Sequence, residues 1–376
     1  MRDKTNTIKF DWLTAVIDVD CDPFAVEGKI DYVLNYLHLK RLGNIVPMKH
    51  GLYTYGTAFT LSGTQIIIAY DFVSQGKLEI MVQLSGGGVD ILQQFLIDDS
   101  MSLDDFINAV LEIDGHFSRV DVATDFINYD FHYSPYFLND QAKSGHLLTS
   151  ARTCKYVHSY DTTGSHYFFG GNPEQEGTTL YIGKNPKQLR VYNKYAERIA
   201  KVGLMYDVSS WYRWEFQFND PYAQDFIDAY TGHYNYNLAQ TWLDYLVGNY
   251  RFLYIDLDGA DHQERRKRYA NADWWNEIIE CATYELRFYR PKDKPNLLRA
   301  TQWIDKQVMP TVASLFRARL KKYRENGLSY DDAYNLTLQQ VKIEIDNMLQ
   351  SDRVDEDKVQ SFMNDLENLD NQRKGS

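Results

Sequence analysis

Phe117-Ser118-Arg119-Val120-Asp121-Val122-Ala123-Thr124-Asp125-Phe126 has a period of two. In a strand, Arg119, Asp121 and Asp125 share one face, while Val120, Val122, Thr124 and Phe126 share the other. Tyr212-Arg213-Trp214-Glu215-Phe216-Gln217-Phe218-Asn219 repeats the plan. Its polar face is Arg213, Glu215, Gln217 and Asn219, opposite Tyr212, Trp214, Phe216 and Phe218. Carboxylates are depleted in strands, so two half-buried strands that pair them with guanidinium groups call for a reason. Cross-strand ion pairing on a solvated face is the structural reading. The chemical reading is an oxygen-donor site for Mg²⁺ or Mn²⁺, with Asp121, Asp125 and Glu215 as ligands.

A third stretch favours chemistry. In Leu189-Arg190-Val191-Tyr192-Asn193-Lys194 the same alternation puts Tyr192 between Arg190 and Lys194. A phenol titrates near ~10 in water, so it attacks a phosphodiester at neutral pH only where cations stabilise the phenolate. Tyr195, three residues on, is the alternative nucleophile.

Around these strands the chain reads as α+β. Strand-rich segments are expected at 8–20 and 52–85, with helical spacing over Ile30–Leu37. Ser85-Gly86-Gly87-Gly88 lacks the Lys-Ser/Thr of a P-loop and reads as a turn before a helix. Ser102-Leu103-Asp104-Asp105 reads as a capped helix start. Residues 177–194 read as a hairpin turning at Gly183-Lys184-Asn185-Pro186. Residues 221–280 are mostly helical, with aromatic stripes that suit a core, and Tyr284–Tyr289 reads as a returning strand. Helix dominates after Leu297, where Trp303, Ile304, Val308 and Leu315 form an apolar stripe.

The expected fold is an antiparallel sheet core with flanking helices, built on a faint duplication of a sheet-plus-helix unit, followed by a helical C-terminal region. The expected divisions are a β-rich catalytic domain over 1–222, a mostly helical region over 223–325 and an acidic tail over 326–376.

Composition bounds the function. There are 376 residues, 44% of them hydrophobic, and no apolar run long enough for a membrane span. Cys21, Cys154 and Cys281 lack metal-ligand spacing, and the N-terminus leads into no signal-peptide core, so a cytoplasmic protein is expected. The net charge of −12 disfavours broad nucleic-acid binding, but half of it lies in residues 331–376, which hold eleven acidic and five basic residues. DNA would need a local basic groove. Its candidates are Lys184, Lys187, Arg190, Lys194 and Arg198, and a second cluster of Arg265, Arg266, Lys267 and Arg268.

The segments occur in a telling order. Asp11-Trp12-Leu13 comes first, then Gln83-Leu84-Ser85-Gly86-Gly87-Gly88 and the Arg119 strand. Leu180-Tyr181-Ile182-Gly183, the Tyr192 strand, Trp211-Tyr212-Arg213-Trp214-Glu215 and Thr301–Pro310 follow. Over roughly residues 8–315 this succession resembles the replication initiation factor family of rolling-circle plasmids, integrative conjugative elements and phages of Gram-positive bacteria.

The resemblance implies a metal-dependent nickase and religase. Tyr192 would become covalently linked to the 5′-phosphate of one origin strand, with Arg190, Lys194, Arg213 and Arg119 around the phosphate. The implied partners are origin DNA, double-stranded with an extruded or single-stranded nick site, and a host helicase. The C-terminal helices could support a homodimer. No two of the nine histidines lie one residue apart, so the His-hydrophobic-His motif of the larger rolling-circle group is absent. A tyrosine recombinase is disfavoured because its spaced Arg and His-x-x-Arg set is missing. Two rivals stay open: a conjugative relaxase with the same chemistry, and an origin-binding protein that does not cleave.

Overall fold

The computed structural model describes residues 3–74, 76–159, 177–202, 208–254, 269–280, 309–349 and 363. The chain divides into two compact units, Met1–Phe288 and Tyr289–Ser376.

The first unit is built on one ten-stranded antiparallel sheet. Its strands are β1 (Thr5–Asp20), β2 (Ile45–Pro47), β3 (Thr57–Leu61), β4 (Ile66–Ser74), β5 (Lys77–Leu84), β6 (His116–Ile127), β8 (Cys154–Ser159), β9 (Gly177–Lys184), β10 (Lys187–Asn193) and β11 (Trp211–Asn219). They lie in the order β2-β3-β4-β5-β1-β6-β11-β10-β9-β8. A separate two-stranded ribbon pairs β7 (Leu147–Thr149) with β12 (Tyr250–Phe252). The strand order makes the expected duplication visible. Outward from the central β1–β6 pair, each half places its last strand beside its first, then steps backward through the others.

Helices follow the same plan. α1 (Val26–Tyr36) comes after β1, and α4 (Pro135–Lys143) after β6. α2 (Gly86–Asp98) and α3 (Leu103–Glu112) come after β5. After β11 come α6 (Pro221–Asp228), α7 (Leu238–Asn249) and α8 (Asp273–Ile279). All of these helices bury apolar residues in one core with a single face of the sheet. Leu34, Leu92, Phe106, Leu138, Phe226, Trp242 and Trp275 meet Leu13, Ile17, Val122, Trp214 and Phe216 there. This is the face that period two assigned to Val120, Val122 and Trp214. The aromatic stripes of 221–280 are core, as expected: Phe216 packs edge-on to Tyr245 with ring centroids 4.9 Å apart. α7 and α8, which lie beyond residue 222, therefore complete the core of the same unit.

Local chemistry sets the element ends. Asp105 accepts hydrogen bonds from the Ser102 backbone N–H (2.7 Å) and hydroxyl (3.0 Å), capping α3 as its sequence anticipates. The glycine run differs from the expected turn, because Gly86–Gly88 form the first turn of α2. A Cβ on Gly88 would sit 2.8 Å from the Gln65 carbonyl oxygen, so only glycine lets the helix start against the β3–β4 turn.

The second unit contains α9 (Met309–Glu325) and α10 (Tyr330–Leu349), packed as a hairpin with Ala333 and Thr337 buried. Arg319 pairs with Glu344 across it at 2.7 Å. Leu315 of the expected apolar stripe is exposed. The expected strand at 284–289, the cluster Arg265–Arg268, and Trp303, Ile304 and Val308 lie outside the described residues. No described helix is long and apolar enough to cross a membrane.

Candidate active site

The sheet face opposite the core carries the polar residues, and register decides which of them meet. β11 lies between β6 and β10 and pairs with both. One row across the three strands is Asp125, Arg213, Tyr192; the next is Ala123, Glu215, Arg190; a third is Asp121, Gln217, Gln188. Three stretches far apart in sequence thus become one surface, and Tyr192 stands directly opposite Arg213.

The contacts are dense. Arg213 donates to both carboxylate oxygens of Asp125, at 2.7 and 2.6 Å. Its remaining nitrogen, Nη1, donates to Asp11 at 2.9 Å. Arg190 donates to Oε1 of Glu215, and the Tyr192 hydroxyl faces Oε2 of the same carboxylate at 3.5 Å, the outer limit of a hydrogen bond. Arg190 and Lys194 flank the Tyr192 ring, with charge-to-centroid distances of 5.2 and 5.4 Å. Arg119 grips Asp121 with two bonds, at 3.0 and 2.6 Å. Asp121, Asp125, Arg213 and Glu215 are all buried.

Asp11 is a site residue that sequence periodicity misses. β1 bulges between Phe10 and Trp12, so Asp11 is the extra residue opposite β6. A bulge re-aims a side chain, and here it carries the Asp11 carboxylate to Arg213. The only signal in the sequence was its place in the Asp11-Trp12-Leu13 segment.

The remaining expected residues divide. α5 (Lys194–Val202) follows β10, so Lys194 is its first residue; it pairs with Glu197 at 2.7 Å. Arg198, on the same helix, lies over the Trp211 ring, next on the Arg213 face. Tyr195 is half-buried in the first turn of α5. Lys184 and Lys187 face each other at the hairpin end, in register with the core-facing Phe218. Lys187 reaches the Tyr222 ring. Alternation therefore puts these two lysines on the opposite side from Tyr192. Among the described residues, no three of His, Cys, Asp and Glu are grouped to hold a metal ion. Each of the three carboxylates is engaged by an arginine, Asp121 by Arg119, Asp125 by Arg213 and Glu215 by Arg190, and the charge of Glu215 is felt at Asp121.

Burial shapes the acid–base character. It holds the Tyr192 phenol well above its ordinary value, reinforced by Glu215 and opposed by Arg213 and Arg190. The resting phenol is thus protonated, and attack requires a proton acceptor. Burial lowers Lys194, with Arg213 adding to the effect. Asp121 is pushed up to about 6 by burial and by Glu215, against the pull of Arg119.

Asp121 supplies a prediction. Its carboxyl binds a proton more tightly when folded, so the folded state holds more protons between 3.8 and about 6. Stability conferred at low pH is then lost as pH rises through that window, by at most about 3 kcal/mol. Urea unfolding in EDTA at pH 4 and pH 7 is expected to show a smaller difference for Asp121→Asn than for the parent. An equal difference in both proteins would refute the assignment.

The first half of the sheet is equipped differently on this face. Its rows are Thr14, Gln83, Ile67; Val16, Met81, Ala69; and Asp18, Glu79, Asp71. Leu52 and Tyr55 pack over Val16, Ala58, Ala69 and Met81, while the Tyr53 hydroxyl donates to Gln83 at 2.9 Å. No tyrosine–arginine row stands there.

Comparison with known proteins gives the family and the fold. Residues 115–328, more than half of the chain and including every strand of the candidate site except β1, match the replication initiation factor family. The inferred DNA relaxase NicK of Bacillus subtilis (strain 168) is 22% identical over 285 residues, covering 75% of each chain. The solved structure of a rolling circle replication initiator protein from Geobacillus stearothermophilus shares the fold. It has a TM-score of 0.55 and 19% identity, and the match covers 76% of this chain and all of that one. The chain belongs to the replication initiation factor family.

Proposed function

We propose that this protein is a rolling-circle replication initiator that nicks one strand of origin DNA and later reseals it. The observation that carries the reading is Tyr192. It is a half-buried, protonated phenol on the polar face of the sheet, flanked by Arg190 and Lys194, opposite Arg213, with its hydroxyl aimed at Glu215.

The chemistry follows from these contacts. Oη of Tyr192 attacks the scissile phosphorus; a Tyr–O–P bond forms and the P–O3′ bond breaks. The phenol proton passes to Glu215, and the departing 3′ oxygen takes a proton from water to become a free hydroxyl. Arg190 and Lys194 stand where the extra negative charge of the pentavalent phosphate develops. Arg213 fixes the row through Asp125 and Asp11. Resealing is the reverse: the 3′-hydroxyl attacks the phosphotyrosine, whose bond energy was retained, so no nucleotide triphosphate is consumed.

Asp121 and Glu215 fit a divalent cation. Mg²⁺ and Mn²⁺ are commonly held by one or two carboxylates with water and substrate phosphate completing the shell. Asp121 and Glu215 are two buried carboxylates of this kind, and the charge of Glu215 is felt at Asp121. When bound, the cation supplies Lewis-acid polarisation of the scissile phosphate. All three carboxylates are held by arginines, so the cation would use oxygen lone pairs that those bonds leave free. Origin DNA with an unpaired nick site is the substrate, a helicase is the partner the family suggests, and the C-terminal helices could support a second copy of the chain.

Supercoiled plasmid bearing the cognate origin tests the reading. Incubation with Mg²⁺ or Mn²⁺ is expected to give open-circular product and a covalent protein–DNA adduct, and EDTA to abolish both. Cleavage that persists in EDTA would overturn the metal assignment. Origin binding with no cleavage under any condition would leave a binding protein as the better account. A conjugative relaxase would give the same products, and the origin it cuts would distinguish the two.

A further inference from the structure

We propose that Trp12, stacked on Arg119, is a platform for one unpaired base of the strand being cut, an inference that rests on the DNA-nicking reading above. Trp12 lies on the polar face, in register with Asp121, and among its row neighbours it is the one large apolar side chain. A half-buried indole that contacts Thr14 and Arg119 and stands in register with Asp121 is not filling the core, which lies on the other side of the sheet.

The ring is held in place from three directions. The β1 bulge at Asp11 sets its position along the strand. Its Nε1 donates to the Thr14 hydroxyl at 2.9 Å, which fixes the ring's rotation without using DNA. The Arg119 guanidinium lies over the ring at 4.0 Å and is itself locked by its two bonds to Asp121. Such an aromatic–guanidinium stack is preorganised for a flat π surface, so a base would lose little by ordering it.

Charge and position select the occupant. Asp121 neutralises Arg119, so the platform offers stacking and no free charge for a phosphate. Asp121 lies one strand and one row from Glu215, the carboxylate that faces Tyr192, so the platform is on the same face as the site of cleavage and is reached across these two carboxylates. On the other side, the face is covered by Leu52, Tyr53 and Tyr55 and then carries the acidic row Asp18, Glu79, Asp71. A phosphate chain has no favourable path there. The strand therefore ends its contact with the sheet at Trp12, with a base in place of a phosphate as its last contact.

The test uses two labelled 20-nucleotide probes with the same phosphates: an oligothymidylate and its fully abasic counterpart. Fluorescence anisotropy with Trp12→Ala is expected to show about 5- to 50-fold weaker binding of oligothymidylate, with abasic binding within about twofold of the parent. Trp12→Phe should restore most of the loss, since it keeps a ring at the same place. The dependence of affinity on salt should not change, because no phosphate contact is removed. An equal loss on both probes, no loss on either, or a parent protein that binds neither probe would each overturn the platform. Failure to nick the origin plasmid together with the base-specific Trp12 effect would instead overturn the nickase reading and leave the platform standing.

Discussion

Tyr192→Phe is expected to lower nicking of an origin plasmid by about 10⁴-fold or more, while origin binding stays within about threefold of the parent. The substitution removes only the hydroxyl, whose contact in the folded chain is one long interaction of 3.5 Å with Glu215. The ring, and with it the packing of Arg190 and Lys194, is retained. The urea midpoint should therefore barely move, which separates a chemical defect from an unfolded one. Loss of the covalent adduct must accompany loss of nicking. Tyr195→Phe is the control and should keep activity within about twofold; its phenol projects from the first turn of α5 and not from the sheet row. Nicking by Tyr192→Phe combined with none by Tyr195→Phe would transfer the nucleophile to Tyr195.

The second large effect falls on stability. Arg213→Met is expected to destabilise the first unit by about 3–5 kcal/mol, because Asp125 and Asp11 would be left near each other without their cation. Both the arginine and Asp125 are buried, so solvent screening does not soften the loss. Asp125→Asn in the same chain should recover part of the stability, as it removes one of the orphaned charges. Arg213→Lys should fall between, since an ammonium keeps the charge but cannot hold Asp125 with a fork and Asp11 with its third nitrogen. The measurement is urea unfolding of each variant at fixed pH and salt. If the single and double variants unfold together with the parent, Arg213 is not the tie that joins β1, β6 and β11 on this face. Nicking should also fall in Arg213→Met, because Arg213 opposes the rise in the Tyr192 proton affinity.

These two variants probe one surface, yet they draw on different levels of information. Period two alone sorted Arg119, Asp121 and Asp125 from Val120 and Val122, and Arg213 and Glu215 from Trp214 and Phe216. That sorting survives in the fold because alternation across a strand is a local property of the backbone. It also placed Tyr192 on a face with Arg190 and Lys194. The capped start of α3, the hairpin of β9 and β10, and the aromatic core of residues 221–280 were legible for the same reason: turn chemistry and apolar spacing act over a few residues. The duplication was only faint in sequence, because two halves that share topology need not share side chains, and only one half carries the tyrosine row.

Pairing was not legible. Which strand lies beside which, and in what register, is decided by contacts between residues as much as two hundred positions apart. The order β6-β11-β10 sets Arg213 against Asp125 and Arg190 against Glu215, while Asp121 meets Arg119 of its own strand, so each expected metal ligand has a guanidinium partner. The same register sends Lys184 and Lys187 to the helix-covered side, away from the tyrosine they flank in sequence. The bulge in β1 adds Asp11 to the site by breaking the very alternation that a reading by periodicity must assume. Sequence by itself determined which residues could share a face and that a tyrosine stood among cations. Only the tertiary structure decided which charges meet, because a buried ion pair forms where register brings it within about 3 Å, and register is set by the packing of the whole sheet.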